Sequence, residues 1–474
     1  MDAATVDARP GPWAWAGALL LGAALLSLPW SGHVDDVDAQ LYQVVARHIA
    51  AGDGWLDLRY LPGAYDHFRE HLPFGFWPAA AAIRLFGERA IGPVSALFTL
   101  GTLALVGWAA SRLAGPWAGL AALLSLATCE SIWRYGGRLW LDPPLVLLAT
   151  ASAVPALLPR PRARAWLLAA ALAALAALVK GPFGLLPLPC AAFAAAVAYR
   201  EPRRLLWGGL ATLAGAAPVA AFLLADRFHG DGSWWHGYFV AQISASATGR
   251  RSDGRTIWWY PFRVVLGRFW PGLPFAALAV WRALSRRRLE PARVERLLSL
   301  FAGALLVGLC LPHRKWWNHE LVAFPALALL AGAGAAPWLR RWLGSSARRA
   351  RRVGYGLTGA AALVAVASIA GLGARLLLPP CVGSTEFAAA LERLPPGSPV
   401  LVVAPTPDWS TLASLAAERW LSAWPVMSLP AAPTTPAATG VAGAHLALAH
   451  AGEPLPPPWE ARLRARGWVL AERP

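Results

Sequence analysis

Ionisable side chains gather in a few stretches of an otherwise apolar chain, and together they could carry a transfer reaction. The stretch from Asp35 to Trp77 holds Asp35, Asp36, Asp38, Glu70 and His71. Arg134, Arg138 and Asp142 follow, and Lys180 stands between two apolar runs. A long polar segment supplies His229, Asp231, His236 and the arginines between Arg250 and Arg255. A last cluster holds His313, Arg314, Lys315, His319 and Glu320. A carboxylate can take the proton of an acceptor hydroxyl. Lysine, arginine and histidine can hold a lipid-linked phosphate and stabilise its charge as it leaves. Lys180, with Val179 before it and Gly181-Pro182 after it, calls for a buried partner, a phosphate among the candidates.

Other readings of these groups are blander. Most of the Arg250–Arg255 run reads as solvated loop. The pairs Trp234-Trp235, Trp258-Trp259 and Trp316-Trp317 could stack on sugar faces, or form an aromatic belt at a membrane interface. His229 and His236 match no strong metal-ligand spacing, so no metal ligand set is assigned, although a divalent ion stays open as a cofactor.

The elements that must position these groups are apolar helices. The chain has 474 residues, 57% of them hydrophobic, and a mean hydropathy of +0.45. That suits an all-α polytopic membrane protein, not a soluble one. The net charge of +17 would suggest nucleic acid in a soluble protein. Here the arginines fall in short loops between apolar runs, as the positive-inside rule expects, so a nucleic-acid partner is set aside. Cys129, Cys190 and Cys310 lie in or beside apolar runs, which argues against a disulfide framework.

Apolar runs predict about 11 transmembrane helices: 13–30, 91–110, 115–132, 143–158, 166–179, 183–199, 206–225, 262–283, 297–311, 321–339 and 354–378. Leu41, Val44, Val45, His48 and Ile49 recur at helical spacing in the first loop, and Gly52 ends that helix. The segment Pro73 to Phe86 is too short to span and is read as interfacial. With that choice the arginine-rich loops at Arg160, Arg200, Arg286, Arg340 and Arg348 share one side, and the acidic and mixed loops share the other. Residues 1–378 form the membrane domain, with 32–90 as its first extracytoplasmic loop. Residues 379–474 form a small extracytoplasmic α/β domain, with a strand at Pro399–Pro405 and a helix at Asp408–Trp420.

In these stretches the chain resembles the GT-C membrane glycosyltransferases, in the branch of the lipid A aminoarabinose transferases and the PMT-like protein O-mannosyltransferases. Asp38 and Tyr42 match the opening of that family's first loop. Gly52-Asp53-Gly54-Trp55 matches its Gly-Asp-Trp with one insertion, and Glu70, Pro73, Gly75, Phe76 and Trp77 match its end. Tyr135, Gly136, Arg138 and Asp142 match the second exported loop, Lys180-Gly181-Pro182 the family's Lys-Gly-Pro, and Lys315 to Pro325 its late lysine and proline-closed run. Ala39 stands where the family has Glu, His71 and Leu72 where it has Lys-Pro, and His319 where the aminoarabinose-type enzymes tend to have Tyr.

The resemblance implies transfer of a sugar, with inversion, from a polyprenyl-phosphate donor to a lipid A, glycan or protein acceptor. It implies a multi-pass protein of the inner (plasma) membrane with its active site on the extracytoplasmic face. Asp38 is the implied general base, and Asp142 a second carboxylate that Arg138 positions. Glu70 and His71 shape the donor site, Lys180, Arg314 and Lys315 bind its phosphate, and Tyr42 and His319 support. Two other classes remain open: a polyprenyl-linked glycan transporter or flippase, and a non-catalytic assembly protein with a degenerate site.

Overall fold

The apolar runs fold as helices because only a helix satisfies every backbone N–H and C=O within its own segment. The structure is a computed structural model that describes residues 9–27, 37–61, 65–87, 90–138, 141–251, 254–285, 292–343 and 346–377, with the segments 400–404, 426–430, 446–450, 460–465 and 468–472 beyond them. In chain order, α1 (Pro12–Ser27) and α2 (Val37–Ala51) precede a hairpin of β1 (Arg59–Leu61) and β2 (Tyr65–His67). A 3₁₀ turn (Pro73–Gly75), α3 (Trp77–Phe86), α4 (Ile91–Ala114), α5 (Pro116–Ala127), α6 (Glu130–Gly136), α7 (Asp142–Leu157) and α8 (Ala163–Lys180) follow. Next come α9 (Pro182–Leu185), α10 (Pro187–Tyr199), α11 (Arg203–His229), a π-helical segment (Trp235–Ser244) and α12 (Ala245–Thr248). The remaining helices are α13 (Tyr260–Arg268), α14 (Leu273–Ser285), α15 (Arg293–Cys310), a 3₁₀ segment (Trp317–Ala323), α16 (Phe324–Leu343) and α17 (Ala347–Leu377). Strands β3 (Val400–Ala404), β4 (Val426–Pro430), β5 (Leu446–His450), β6 (Glu460–Ala465) and β7 (Trp468–Glu472) close the chain.

Five helical segments among the described residues are long and apolar enough to cross a bilayer: 91–114, 163–180, 182–199, 203–229 and 317–343. Four shorter apolar helices, α1, α5, α7 and α14, accompany them. The chain is a polytopic membrane protein, mostly helical.

The chain divides into two units. The first comprises residues 1–32, 69–75 and 91–370. At its centre α16 packs on α5 and α14. The approach is close because the contact positions are small: a Cβ on Gly332 would collide with the Ala118 carbonyl, and one on Gly334 with that of Phe275. Arg204, in the first turn of α11, is 1% exposed. Its guanidinium donates to the carbonyls of Ala156, Leu158 and Pro159 at 2.9, 2.8 and 2.6 Å. It therefore satisfies the carbonyls left open where α7 ends.

The second unit comprises residues 33–68, 76–90 and 371–474. In it α2 packs on α3, with Val44, Val45, Ile49, Phe68 and Phe76 all fully buried. Gly52 takes a positive φ of 107° as α2 ends, where a side chain would be strained. The helix α3 is ten residues long, about 15 Å at 1.5 Å per residue, half the thickness of a bilayer core. Its Leu85 and Phe86 are exposed while Ala79, Ala80 and Ala82 are buried, which fits the interfacial reading. The later strands form a sheet in the order β4-β3-β5-β7-β6, parallel among β4, β3 and β5 and antiparallel from β5 through β7 to β6. The expected strand near Val400 is present; the helix expected at Asp408–Trp420 lies outside the described residues.

Three expectations are corrected. The run 262–283 is not one helix: α13 and α14 meet at a turn. Pro271 supplies no backbone N–H there, and a Cβ on Gly272 would collide with the Phe269 ring. The long polar segment that supplies His229 to Arg255, expected as a loop between the runs 206–225 and 262–283, is largely helical, for α11 runs on to His229 and the π-helical segment and α12 follow. The run 115–132 stops at Ala127, and Trp133, Arg134 and Tyr135, read as loop, lie in α6.

Candidate active site

Lys180 is the last residue of α8, and the turn after it sets the site. Gly181 has φ +61° and ψ −135°, a backbone state for which L side chains are poorly suited. A Cβ there would also collide with the Tyr238 hydroxyl. Pro182 then opens α9 at a position where no N–H is needed. The chain thus turns sharply and leaves the Lys180 side chain inside the protein, 5% exposed.

The buried partner the sequence demanded is Asp142, at the first residue of α7. The Lys180 ammonium donates to both carboxylate oxygens, at 3.0 and 2.8 Å. Both side chains are almost fully enclosed, at 6% and 2% exposure. Three N–H bonds are available on an ammonium, so one remains for another acceptor. The first-loop segment 69–75 passes the end of α8: a Cβ on Gly75 would meet Leu141 at 2.9 Å and the Val179 carbonyl at 3.2 Å. Arg69 pins this segment by donating to the Ser233 hydroxyl at 3.0 Å, with its guanidinium 4.5 Å from the centre of the Trp234 ring.

His71 sits in the same segment, half-buried. Loss of hydration, then the charges of Lys180 and Arg251, push its imidazole well below 6.5, so it is neutral at pH 7. His71, Lys180 and Arg251 are also within electrostatic reach of His319. The His319 ring lies 4.0 Å from that of Phe183 and 5.3 Å from that of Trp316. Arg251 bonds Gln242 and covers the Trp316 ring at 4.7 Å. Lys315 is 3% exposed, and its backbone pairs both ways with Arg255, at 2.8 and 2.9 Å. Arg314 is half-buried, held through its backbone N–H to the Ser246 carbonyl at 3.0 Å. Its Nε is buried with no hydrogen-bond partner among the described residues.

The first unit therefore brings together Asp142 and Lys180, and sets His71, His319 and Arg251 within reach of one another. Glu70 and Arg138 belong to the same unit, both half-buried. Asp38 belongs to the second unit, exposed in the first turn of α2, and Tyr42 packs edge-on against Phe76 at 5.5 Å in that unit. Asp35 and Asp36 lie outside the described residues.

Sequence reasoning passed over two groups. Arg251 was folded into a solvated run, and only the Trp316 beneath it marks it out. Glu320, noted in the last cluster but given no role, is 1% exposed, and its Oε2 has no hydrogen-bond partner among the described residues, with Arg268 and Lys315 in electrostatic reach. The tryptophan pairs also change meaning. Arg251 takes a face of Trp316 and Arg268 a face of Trp317 at 4.4 Å, while Trp258 and Trp259 are exposed as a belt would be. Among the described residues no three His, Cys, Asp or Glu side chains gather as a metal ion would need.

Residues 70–223 match the family model described as dolichyl-phosphate-mannose-protein mannosyltransferase, a segment that contains Glu70, Asp142 and Lys180. The fold is similar to that of ArnT from Cupriavidus metallidurans bound to undecaprenyl phosphate, with a TM-score of 0.69, 17% identity and 98% of each chain covered. The apo state of the same protein gives 0.67 and 18%, over 97% of each chain. The archaeal oligosaccharyltransferase AglB from Archaeoglobus fulgidus, in complex with an inhibitory peptide and a dolichol-phosphate, is similar at a TM-score of 0.54 and 13% identity, over 93% of this chain and 69% of that one. No curated protein sequence matches the chain.

Proposed function

We propose that this chain, which has the fold of the GT-C glycosyltransferases of the ArnT and PMT-like type, transfers a sugar from a polyprenyl-phosphate donor to an acceptor hydroxyl of a lipid A, glycan or protein outside the cytoplasm. The observation that carries the reading is the set of cations in one unit: Lys180 buried against Asp142, Arg251 within reach of His71 and His319, Lys315 buried and Arg314 half-buried. Enclosing so much positive charge in a membrane protein is costly, and an anionic ligand offsets the cost.

In this reading Lys180, Arg314 and Lys315 hold the donor phosphate, with Glu70 and His71 beside it. Asp142 keeps the Lys180 ammonium charged and aimed. The role of Asp38 is carried over from the resemblance: it takes the proton of an acceptor hydroxyl. The acceptor oxygen bonds to the anomeric carbon from the face opposite the phosphate, the bond from that carbon to the phosphate oxygen breaks, and its electron pair leaves with the polyprenyl phosphate. Attack from the opposite face gives inversion. Charge that develops on the leaving phosphate meets fixed cations, which is where such a site gains its rate. The arginine bias of the loops supports an extracytoplasmic site in the inner membrane.

The test is release of polyprenyl phosphate by the purified protein from a panel of polyprenyl-phosphate sugars, with crude envelope extract as acceptor. Release that disappears in Asp38→Asn, with expression intact, is the expected result. Full release in both Asp38→Asn and Asp142→Asn would sink the assignment of the carboxylates. No release across the panel would favour the non-catalytic reading, to which Ala39, buried where the family has Glu, already lends itself.

A further inference from the structure

A second cationic pocket lies in the first unit, apart from the residues assigned to the donor phosphate. It is a cavity of about 380 Å³ whose walls include Arg255, Arg263, Arg268, Tyr260, Trp317 and Glu130. Its charge is not cancelled internally. Glu130 accepts from Arg134 at 3.1 Å. Arg268 donates to the Ser131 hydroxyl at 3.2 Å and lies over Trp317. Among the described residues, the guanidinium groups of Arg255 and Arg263 have no hydrogen-bond or ion-pair partner. Three cations thus face one carboxylate that is already paired.

The helix that carries most of this wall is two-faced. On α13, positions 260, 263, 264, 267 and 268 line the cavity, the i, i+3, i+4, i+7, i+8 spacing of a single face. The opposite face shows Phe262 and Leu266, 37% and 64% exposed, with Trp258 before the helix and Trp270 after it, 69% and 67% exposed. A helix with arginines on one face and exposed aromatic and aliphatic groups on the other lies in a membrane interface. A pocket backed by such a helix is suited to meet lipid headgroups. Two links tie it to the donor residues: the backbone pairing of Arg255 with Lys315, and Trp317, which follows Trp316 on which Arg251 lies.

We infer that this pocket binds the phosphate-bearing headgroup of a membrane amphiphile. Planar guanidinium groups take phosphate oxygens in pairs, and the exposed apolar face of α13 keeps the acyl chains in the bilayer.

Native mass spectrometry of the purified full-length protein, with phosphatidic acid, phosphatidylcholine of the same chains, and undecaprenyl phosphate added, tests this. The wild-type protein retains phosphatidic acid over phosphatidylcholine by about tenfold or more. Arg255→Gln with Arg263→Gln removes that preference and leaves undecaprenyl phosphate retention unchanged, which also shows that the variant is folded. Phosphatidic acid retention unaffected by the double variant would overturn the inference. A parallel loss of undecaprenyl phosphate would overturn it too, by reducing the two pockets to one. Displacement of phosphatidic acid by excess inorganic phosphate would overturn the lipid assignment. Because binding is read directly, a protein that releases no sugar but keeps the preference fails only the transferase reading.

Discussion

The Asp142–Lys180 pair gives the sharpest quantitative test. Both side chains are nearly enclosed, and the ammonium engages both oxygens, at 2.8 and 3.0 Å. Removing one partner leaves an uncompensated buried charge, which costs about 3–5 kcal/mol. Replacing both with apolar groups of similar volume removes the desolvation penalty with the attraction, so the double change is close to neutral. Lys180→Met should therefore destabilise by roughly 4 kcal/mol, a fall of nearly a thousandfold in the folded-to-unfolded ratio. Asp142→Leu should cost a similar amount, and the two together should return to within about 1 kcal/mol of wild type. Unfolding in rising mole fraction of sodium dodecyl sulfate, followed through the 26 tryptophans, measures all three. Lys180→Met within about 0.5 kcal/mol of wild type would refute the claim that the pair is buried and tightly coupled. So would a double variant as unstable as the sum of the singles. The same double variant separates stability from function: folded but without the ammonium, it should release no polyprenyl phosphate.

Gly181→Ala should destabilise by about 1–3 kcal/mol from the positive φ alone, and more from the collision with Tyr238; Tyr238→Phe in the same background should recover part of the loss, as the same unfolding assay would read. Arg204→Met should cost roughly 3 kcal/mol, because it strands three carbonyls at the end of α7; a change below about 0.5 kcal/mol would mean water replaces the guanidinium. For His71 the folded-state value lies below 6.5, so between those values the unfolded chain binds more protons. Stability should then fall as pH drops from 6.5 towards the folded value, and His71→Gln should flatten that fall in unfolding curves taken between pH 7.5 and 5; an unchanged pH slope would remove His71 as its source.

Local signals carried much of this architecture. The spacing of Leu41, Val44, Val45, His48 and Ile49 marked α2, and Gly52 marked its end, since an amphipathic helix and its glycine stop are decided within a few turns. The motif Lys180-Gly181-Pro182 announced a turn beside a buried cation for the same reason. The break between α13 and α14 was less legible: Pro271-Gly272 stood in plain view, but the apolar run on both sides read as continuous. The long segment after Asp226 misled in the opposite sense, because polar composition says nothing about whether backbone bonds close in i→i+5 turns.

Residue types, apolar period and charge bias along the chain thus determined that this is a membrane protein of many helices, and which ionisable groups it withdraws from water. What they pair with was decided by packing. Asp142 and Lys180 lie 38 positions apart and meet because α7 packs on α8. Arg255 reaches the neighbourhood of Lys315 through a backbone pairing between positions 60 apart in the sequence, and Arg251 is lifted out of its solvated run by Trp316. No local pattern encodes such partners, because the cost of burying a charge is offset only by what the folded chain brings within hydrogen-bond distance of it.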